Sequence, residues 1–124
     1  MRPRPLSRAE FGAAVRSALA RLDAAGPLTG SPLLGTALVD PGHPDAAASL
    51  RARLLDAVEA SGQGRHGVED HRVLRRTFLT GCPSQEAAAE ILDLPFSTYR
   101  RHLSQAVDRL TERLWLIETS ATER

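Results

Sequence analysis

The sequence contains no lysine, so all sixteen of its basic residues are arginines. A GC-rich coding sequence is the simplest cause of this bias. Arginine still differs from lysine in its chemistry, because each guanidinium offers a rigid fork of donors for phosphate or guanine. A large excess of positive charge is also lacking, since the formal net charge is only +1. The composition therefore gives no sign of a protein that binds polyanions through charge alone.

Cysteine and long apolar runs are equally scarce. Cys82 is the only cysteine, so no disulfide can form within the chain, and we expect a reducing, cytoplasmic environment. No run approaches the ~20 apolar residues that a membrane-spanning helix needs, so we expect no membrane partner. With 124 residues, 42% of them hydrophobic and 25% charged, the chain has the ordinary composition of a single globular protein.

Motifs that carry enzymatic or metal chemistry are missing from the sequence. The four histidines do not have the spacing of zinc ligands. The glycines at positions 62, 64 and 67 lack both the spacing and the lysine of a phosphate-binding loop. Ser31 and Ser97 stand where helices are predicted to begin, without the strand–turn–helix context of a catalytic nucleophile. We therefore expect a protein that is not an enzyme and that has no metal or cofactor.

What the sequence does contain is helical periodicity, with no segment that alternates like a strand. Capping and turn residues between the periodic segments predict an all-α fold of about six helices. The first helix begins at Ser7 and stops at Gly26-Pro27, and the second runs from Ser31 through Val39. The third covers residues 45–61, and the fourth covers residues 68–80 with a stop at Gly81. The fifth begins at Ser84, and the long sixth begins at Ser97.

The glycine cluster at positions 62, 64 and 67 is the best candidate for a boundary within the chain. It predicts an N-terminal helical lobe of residues 1–62 and a C-terminal lobe of residues 63–124. The last helix is long enough to rejoin the N-terminal lobe.

Residues 84–114 predict two helices joined by a tight bend. Three consecutive alanines at positions 87–89 allow another helix to cross closely, and Ile91 and Leu92 are expected to point to the core. Asp93 fits the bend, because aspartate tolerates the left-handed conformation better than most residues. Leu94 would fill the angle between the helices, and Pro95 cannot continue a helix. A short helix, a bend and a longer helix form a helix-turn-helix.

The last predicted helix has two different faces. At 100° per residue, its apolar residues fall in one sector: Tyr99, Leu103, Ala106, Val107, Leu110, Leu114 and Ile117. The opposite side of its first turns carries Ser97, Thr98, Arg101, Ser104 and Gln105, with Arg100 at the edge. Such side chains pair with base edges and phosphates, although a plain solvated helix face is the alternative.

The order of elements from residue 71 to residue 114 resembles a known family. A helix, a glycine stop, a helix of small residues, a bend and a Thr-x-x-x-x-Leu helix, from Thr98 to Leu103, also occur in the fourth region of bacterial sigma factors and in similar modules of bacterial transcription regulators. The resemblance covers about a third of the chain. It implies binding of double-stranded promoter DNA in the major groove, and RNA polymerase as a further partner.

The resemblance also assigns positions that face the DNA. The matching residues are Thr98, Arg100, Arg101, Ser104 and Gln105. Together with the helix face, this predicts two roles. Base reading is assigned to Thr98, Arg101, Ser104 and Gln105, and phosphate binding to Arg75, Arg76 and Arg100, with Ser97 as the helix cap on the same face.

Departures from the family pattern support an alternative function. Asp93 stands where the family usually has glycine, and Asp108 lies on the outward face of the last helix. Residues 65–124 contain nine arginines and nine acids, so this half has no net charge. The alternative is a protein-interaction module that keeps the fold without binding DNA, and that acts on RNA polymerase or a larger regulator. Residues 94–103 are also loosely similar to tail modules of larger bacterial ATP-binding regulators.

The end of the last helix is apolar on every side at Leu114, Trp115, Leu116 and Ile117, and such a helix is expected to be buried. The sequence leaves two partners open. Trp115 could pack on the first helix, near Phe11, or across a two-fold homodimer formed through the last helix.

Overall fold

A computed structural model describes residues 6–22, 28–80 and 82–122, with side chains through residue 120 in the last range. Within these residues the chain is all-helical, which confirms the predicted all-α class. The α-helices are α1 (Arg8–Leu19), α2 (Ala46–Ala60), α3 (Gly67–Phe78), α4 (Gln85–Ile91) and α5 (Phe96–Thr122), and a 3₁₀-helix covers Pro32–Gly35. None of the described helices is both long enough and apolar enough to cross a membrane.

Helix α1 begins as its sequence predicts. The Ser7 hydroxyl accepts a hydrogen bond from the Glu10 amide at 3.1 Å, and the Glu10 carboxylate accepts one from the Ser7 amide at 2.9 Å. This reciprocal capping box satisfies two amides that the helix itself leaves unpaired. The helix ends at Leu19, earlier than predicted, and the buried Leu22 follows in a turn. The predicted stops at Gly26-Pro27 and at Gly81 lie outside the described residues.

The predicted second helix is wrong, because the chain forms only one 3₁₀ turn there. The Ser31 hydroxyl caps this turn by accepting from the Leu33 amide at 3.2 Å. At its end the Thr36 hydroxyl donates to the Leu33 carbonyl at 2.6 Å, and the Thr36 backbone is extended. A threonine hydroxyl that takes up a backbone carbonyl competes with helix formation. Leu33 and Leu38 are nevertheless buried, as predicted for this segment.

The connection between α2 and α3 is a close turn. Helix α2 starts one residue after the predicted position 45, because Asp45 caps it: the Asp45 carboxylate accepts from the Ala48 amide at 3.1 Å. At its other end, a Cβ atom on Gly67 would lie 2.2 Å from the carbonyl oxygen of Gly62. Only glycine allows the two backbones to approach so closely. The first turn of α3 therefore lies directly against the end of α2.

Helix α5 is the element on which the fold is built, because α1, α2, α3 and α4 all contact it. The apolar sector predicted for it is confirmed at six of its seven positions. The buried members are Tyr99, Leu103, Ala106, Val107, Leu110 and Leu114. These side chains belong to one core cluster that includes buried residues of every α-helix.

The end of α5 is only partly covered. Trp115 is half-buried and places its ring edge-on to Phe11, with centroids 5.1 Å apart, so it packs on the first helix. The prediction that the neighbouring residues are buried is wrong, since Leu116 is 57% and Ile117 is 36% exposed. Farther along, the Glu118 carboxylate accepts a hydrogen bond from the Ala37 amide at 2.8 Å.

Candidate nucleic-acid interface

The bend between α4 and α5 is fixed by backbone hydrogen bonds. Asp93 has a φ angle of 58°, which confirms the left-handed conformation predicted for it. Its amide donates to the Glu90 carbonyl at 3.0 Å, and the Leu94 amide donates to the Ala89 carbonyl at 3.0 Å. This pair of bonds is the Schellman ending of a helix, with aspartate at the position that glycine usually takes. Leu94 packs against the core from the bend, so the angle between α4 and α5 is well determined.

Two predictions near this bend are wrong. Ile91 does not point to the core but is 56% exposed, because Ala88, Ala89 and Leu92 already form the buried side of the short α4. Ser97 is not the helix cap. The carbonyl of Pro95 accepts from the Tyr99 amide at 2.9 Å, so α5 begins one residue earlier, at Phe96. The Ser97 side chain is exposed in the first turn instead.

Tyr99 anchors the first turn of α5 to α3. Its side chain is fully buried, and its hydroxyl forms a 2.5 Å hydrogen bond with the hydroxyl of Thr77. Burial raises the pKa of the Tyr99 phenol, and the hydrogen bond from Thr77 opposes that shift. The prediction that Tyr99 belongs to the core is confirmed. A buried, hydrogen-bonded ring at this position prevents α5 from rotating about its axis.

A partly buried ion pair anchors α5 a second time, ten residues further on. The Asp70 carboxylate of α3 accepts two hydrogen bonds from Arg109, at 2.7 Å from Nε and 2.6 Å from Nη2. The Asp70 side chain is only 5% exposed, whereas Arg109 is 36% exposed. The hydrogen bond to Asp70 raises the pKa of Arg109, so the guanidinium stays charged. Sequence reasoning missed this pair, because the helical position of Asp70 indicates no partner.

The predicted DNA-facing residues of α5 lie together on an accessible surface. Of these, Thr98 is half-buried and the others are exposed: Ser97, Arg100, Arg101, Ser104 and Gln105. Residues 96–107 contain neither aspartate nor glutamate. Among the described residues, Arg100 and Arg101 form no ion pair. This surface, called the front face below, thus offers two unpaired guanidinium groups beside hydroxyl and amide groups.

Phe96 supports one of these arginines, and sequence reasoning missed its role. The guanidinium carbon of Arg100 lies 5.9 Å from the centre of the Phe96 ring. On the same ring, Tyr99 stacks with centroids 6.4 Å apart and an interplanar angle of 26°. The Phe96 side chain remains 38% exposed. An aromatic residue directly after Pro95, at the start of a helix, was the only signal of it in the sequence.

The two arginines predicted on α3 have different surroundings. Arg75 pairs with Glu59 of α2, with 2.8 Å between Nη1 and Oε1. Glu59 also contacts His71 at 3.1 Å, and the hydrogen bond from His71, followed by that from Arg75, lowers the pKa of Glu59. Arg76 is half-buried and forms no ion pair among the described residues. Arg75 would therefore have to leave Glu59 in order to bind a phosphate.

The acids that follow the front face along α5 are paired with α1. Asp108 lies on the outward side of the helix, as predicted, and its carboxylate is 2.8 Å from Nη2 of Arg16. One turn later, Glu112 lies 3.2 Å from Nη2 of Arg8. Because arginines of α1 neutralise both carboxylates, they add little net negative charge next to the front face.

A cavity of about 230 Å³ lies on the other side of α5. Its walls come from the ends of α1 and α3 and from the starts of α4 and α5: Ala20, Thr77, Phe78, Cys82, Ser84, Gln85, Ala88 and Tyr99. Cys82 is half-buried at this cavity. Among the described residues, no group of three or more histidine, cysteine or acidic side chains could hold a metal ion.

Comparisons with known proteins identified no relative of this chain. No protein-family model matches the chain, and neither the curated proteins nor the solved structures gave a significant match.

Proposed function

We propose that the chain is a sequence-specific DNA-binding regulator of bacterial transcription, which inserts the first part of α5 into the major groove of double-stranded DNA. One observation carries the proposal. The front face presents Arg100 and Arg101 unpaired, among exposed hydroxyl and amide groups and without a carboxylate in residues 96–107. Arginine paired with guanine, and amides and hydroxyls paired with base edges, are the usual contacts of such a helix.

The anchoring of α5 supports the same proposal. A recognition helix whose rotation and angle are fixed before it meets the DNA loses less entropy on binding and presents its side chains in one orientation. The Tyr99–Thr77 hydrogen bond and the Asp70–Arg109 pair fix the rotation, and the bend at Asp93 fixes the angle. Residues 1–62 would then act as a supporting lobe, and residues 63–124 as the DNA-binding lobe.

The proposed roles follow from where each side chain lies. Base reading belongs to Arg101, Thr98, Ser104 and Gln105, and Ser97 contacts the backbone at the groove edge. Arg100 and Arg76 hold phosphates. Arg75 contributes a third phosphate contact only if DNA displaces it from Glu59. Each neutralised phosphate contributes about −0.9 to the slope of log K against log salt, so two contacts give about −2 and three about −3.

Selection of binding sites from random duplexes tests the proposal, followed by a salt titration on the selected duplex. We expect one enriched sequence, and a salt slope between about −2 and −3. Arg65→Ala is the control for variants of the front-face arginines. It removes one positive charge, as they do, but from the exposed turn between α2 and α3, and it should leave the salt slope unchanged. Enrichment of no sequence by the folded protein, together with no binding at low salt, would rule the proposal out.

A protein-interaction module is the second candidate, and exposed acids beside exposed apolar groups favour it. Glu86, Glu90 and Asp93 are exposed on α4 and the bend, where they would repel a DNA backbone. Ile91 and Phe96 are exposed on the two sides of the same bend. Such a surface would suit RNA polymerase or a larger regulator. Failure to bind DNA, with loss of partner binding in Ile91→Ser, would support this candidate.

The exposed end of α5 supports association of two copies as an additional proposal. Leu116 and Ile117 form an apolar surface that the described part of the chain does not cover. Sedimentation at increasing protein concentration should show a dimer, and Leu116→Ser should shift the equilibrium to the monomer. A monomer at every concentration would rule this contact out.

A further inference from the structure

Phe96 is a large apolar residue where the proposed recognition helix begins. Its ring is 38% exposed, although a 124-residue chain of ordinary composition has a core that could have received it. The first turns of a recognition helix are the part that reaches base edges. Phe96 therefore packs on Tyr99 with part of its ring, and the exposed part lies at the end of the helix that would approach the bases.

Neighbouring side chains hold the Phe96 ring in one place. Tyr99, which is fully buried and bonded to Thr77, stacks against it at 6.4 Å. Arg100 lies over it at 5.9 Å. Contact of Arg100 with a phosphate would thus bring the exposed part of the ring towards the base edges next to that phosphate. A ring with fixed neighbours loses little conformational entropy when it makes such a contact.

The major groove offers one apolar group to such a ring, the C5-methyl group of thymine. Resting on the proposed function, we propose that Phe96 is a specificity-determining residue that contacts a thymine methyl group in the DNA target. The contact selects T over C, because cytosine has no methyl group at the same carbon.

Replacement of thymine by deoxyuridine tests this inference, since it removes only the methyl group. Each thymine of the duplex selected by the wild-type protein is replaced in turn, and Kd is measured by fluorescence anisotropy. For the wild-type protein, one replacement should weaken binding roughly three- to fivefold, which is the effect of one apolar group returned to water. Phe96→Ala should bind both duplexes equally at that position. Phe96→Leu should keep part of the difference, because it keeps an apolar side chain.

Ile91→Ala is the matched control, because it removes an exposed apolar side chain from the other side of the bend. It should show the same response to deoxyuridine as the wild-type protein. Circular dichroism of each variant confirms that α5 remains folded.

The outcomes separate the inference from the proposed function. A selected sequence in which no thymine responds to replacement overturns the methyl contact and leaves DNA binding standing. A response that persists in Phe96→Ala also overturns it, because a side chain other than Phe96 then contacts the methyl group. Enrichment of no sequence at all overturns the proposed function, and this inference with it.

Discussion

The two halves of helix α5 have opposite relations to the rest of the protein. In residues 96–107 the outward side carries Arg100 and Arg101 without partners among the described residues. In residues 108–120 the same side carries Asp108 and Glu112, and α1 pairs with both of them. Arg101 and Asp108 are seven residues apart, so they lie almost in line along the helix. The difference between them therefore comes from their neighbours and not from their direction.

This contrast shows how one helix can serve two purposes. The outward acids of the rear half remain more than half exposed, but each forms an ion pair with an arginine of α1. The front half has the same buried stripe, yet its outward arginines have no such partner, and their charges are available to another molecule. Ion pairing thus distinguishes the arginines of the two halves of α5: Arg109 has a carboxylate partner, and Arg100 and Arg101 have none among the described residues.

The largest expected effect tests the packing of the rear half. Leu110 is 1% exposed in the stripe that α5 buries. Leu110→Ala should therefore lower the free energy of unfolding by roughly 2–5 kcal/mol, through lost burial and a new cavity. Val68→Ala is the control, because Val68 is 74% exposed and lies in none of the proposed interfaces, and it should change stability by no more than about 0.5 kcal/mol. Chemical denaturation measures both. Equal effects would mean that the rear half is not packed as described.

The second largest effect tests the Asp70–Arg109 ion pair, which holds α5 against α3 where the rear half begins. Asp70→Ala removes the buried partner of Arg109 and should cost about 2–3 kcal/mol, less than for a fully buried pair because Arg109 is partly exposed. Asp108→Ala breaks an exposed pair on the same helix and should cost less than about 1 kcal/mol. If loss of Asp70 costs no more than loss of Asp108, the α3–α5 pair is not an anchor.

The third effect concerns the front face and depends on the proposed function. Arg101 points away from the buried stripe, where it can meet a guanine, so Arg101→Ala should lose about 1–3 kcal/mol of discrimination at one base pair. Arg100 lies at the flank, over Phe96. Arg100→Ala should instead weaken binding to all sequences alike and reduce the salt slope by about 1.

Binding-site selection and salt titration of both variants measure these effects. Identical behaviour of the two variants would remove the base-reading role of Arg101. No change in either one would show that the front face does not contact DNA.

Local signals in the sequence predicted much of this architecture, because they depend on residues close together in the chain. The Ser7–Glu10 capping box, the range of α2 and the left-handed Asp93 each depend on residues close together in the chain. The failures involve competition or distance. Thr36 took a backbone carbonyl that a longer helix would have used. Asp70 and Arg109 are 39 positions apart, and helical periodicity does not reveal which faces meet.

The same limit applies to the front face. Periodicity placed Arg101, Ser104 and Gln105 on one side of the helix, and all three are exposed. The sequence does not reveal where α1 crosses α5, and this crossing decides which outward charges of α5 meet the arginines of α1. The pairs with Asp108 and Glu112 show that it crosses the rear half. For the same reason, the exposure of Leu116 and Ile117 could not be read from their apolar character.

The smallest expected effect concerns a paired arginine outside α5. Glu59 binds His71 and Arg75, and these hydrogen bonds lower its pKa below the ordinary value of 4.5. A carboxyl group whose pKa is lower in the folded state stabilises that state above its unfolded pKa, and the contribution disappears as pH falls through the folded pKa. Glu59→Gln should therefore lower Tm slightly at neutral pH, with a difference that shrinks below pH 4.5. Thermal denaturation from pH 7 to pH 3 measures this difference in Tm.

The control is the same comparison in a His71→Ala background. There the pH dependence of the difference in Tm should weaken, because the main cause of the lowered Glu59 pKa is gone. A difference that stays constant with pH would show that neither His71 nor Arg75 stabilises the Glu59 carboxylate in solution, and Arg75 would then not have to leave Glu59 in order to bind a phosphate.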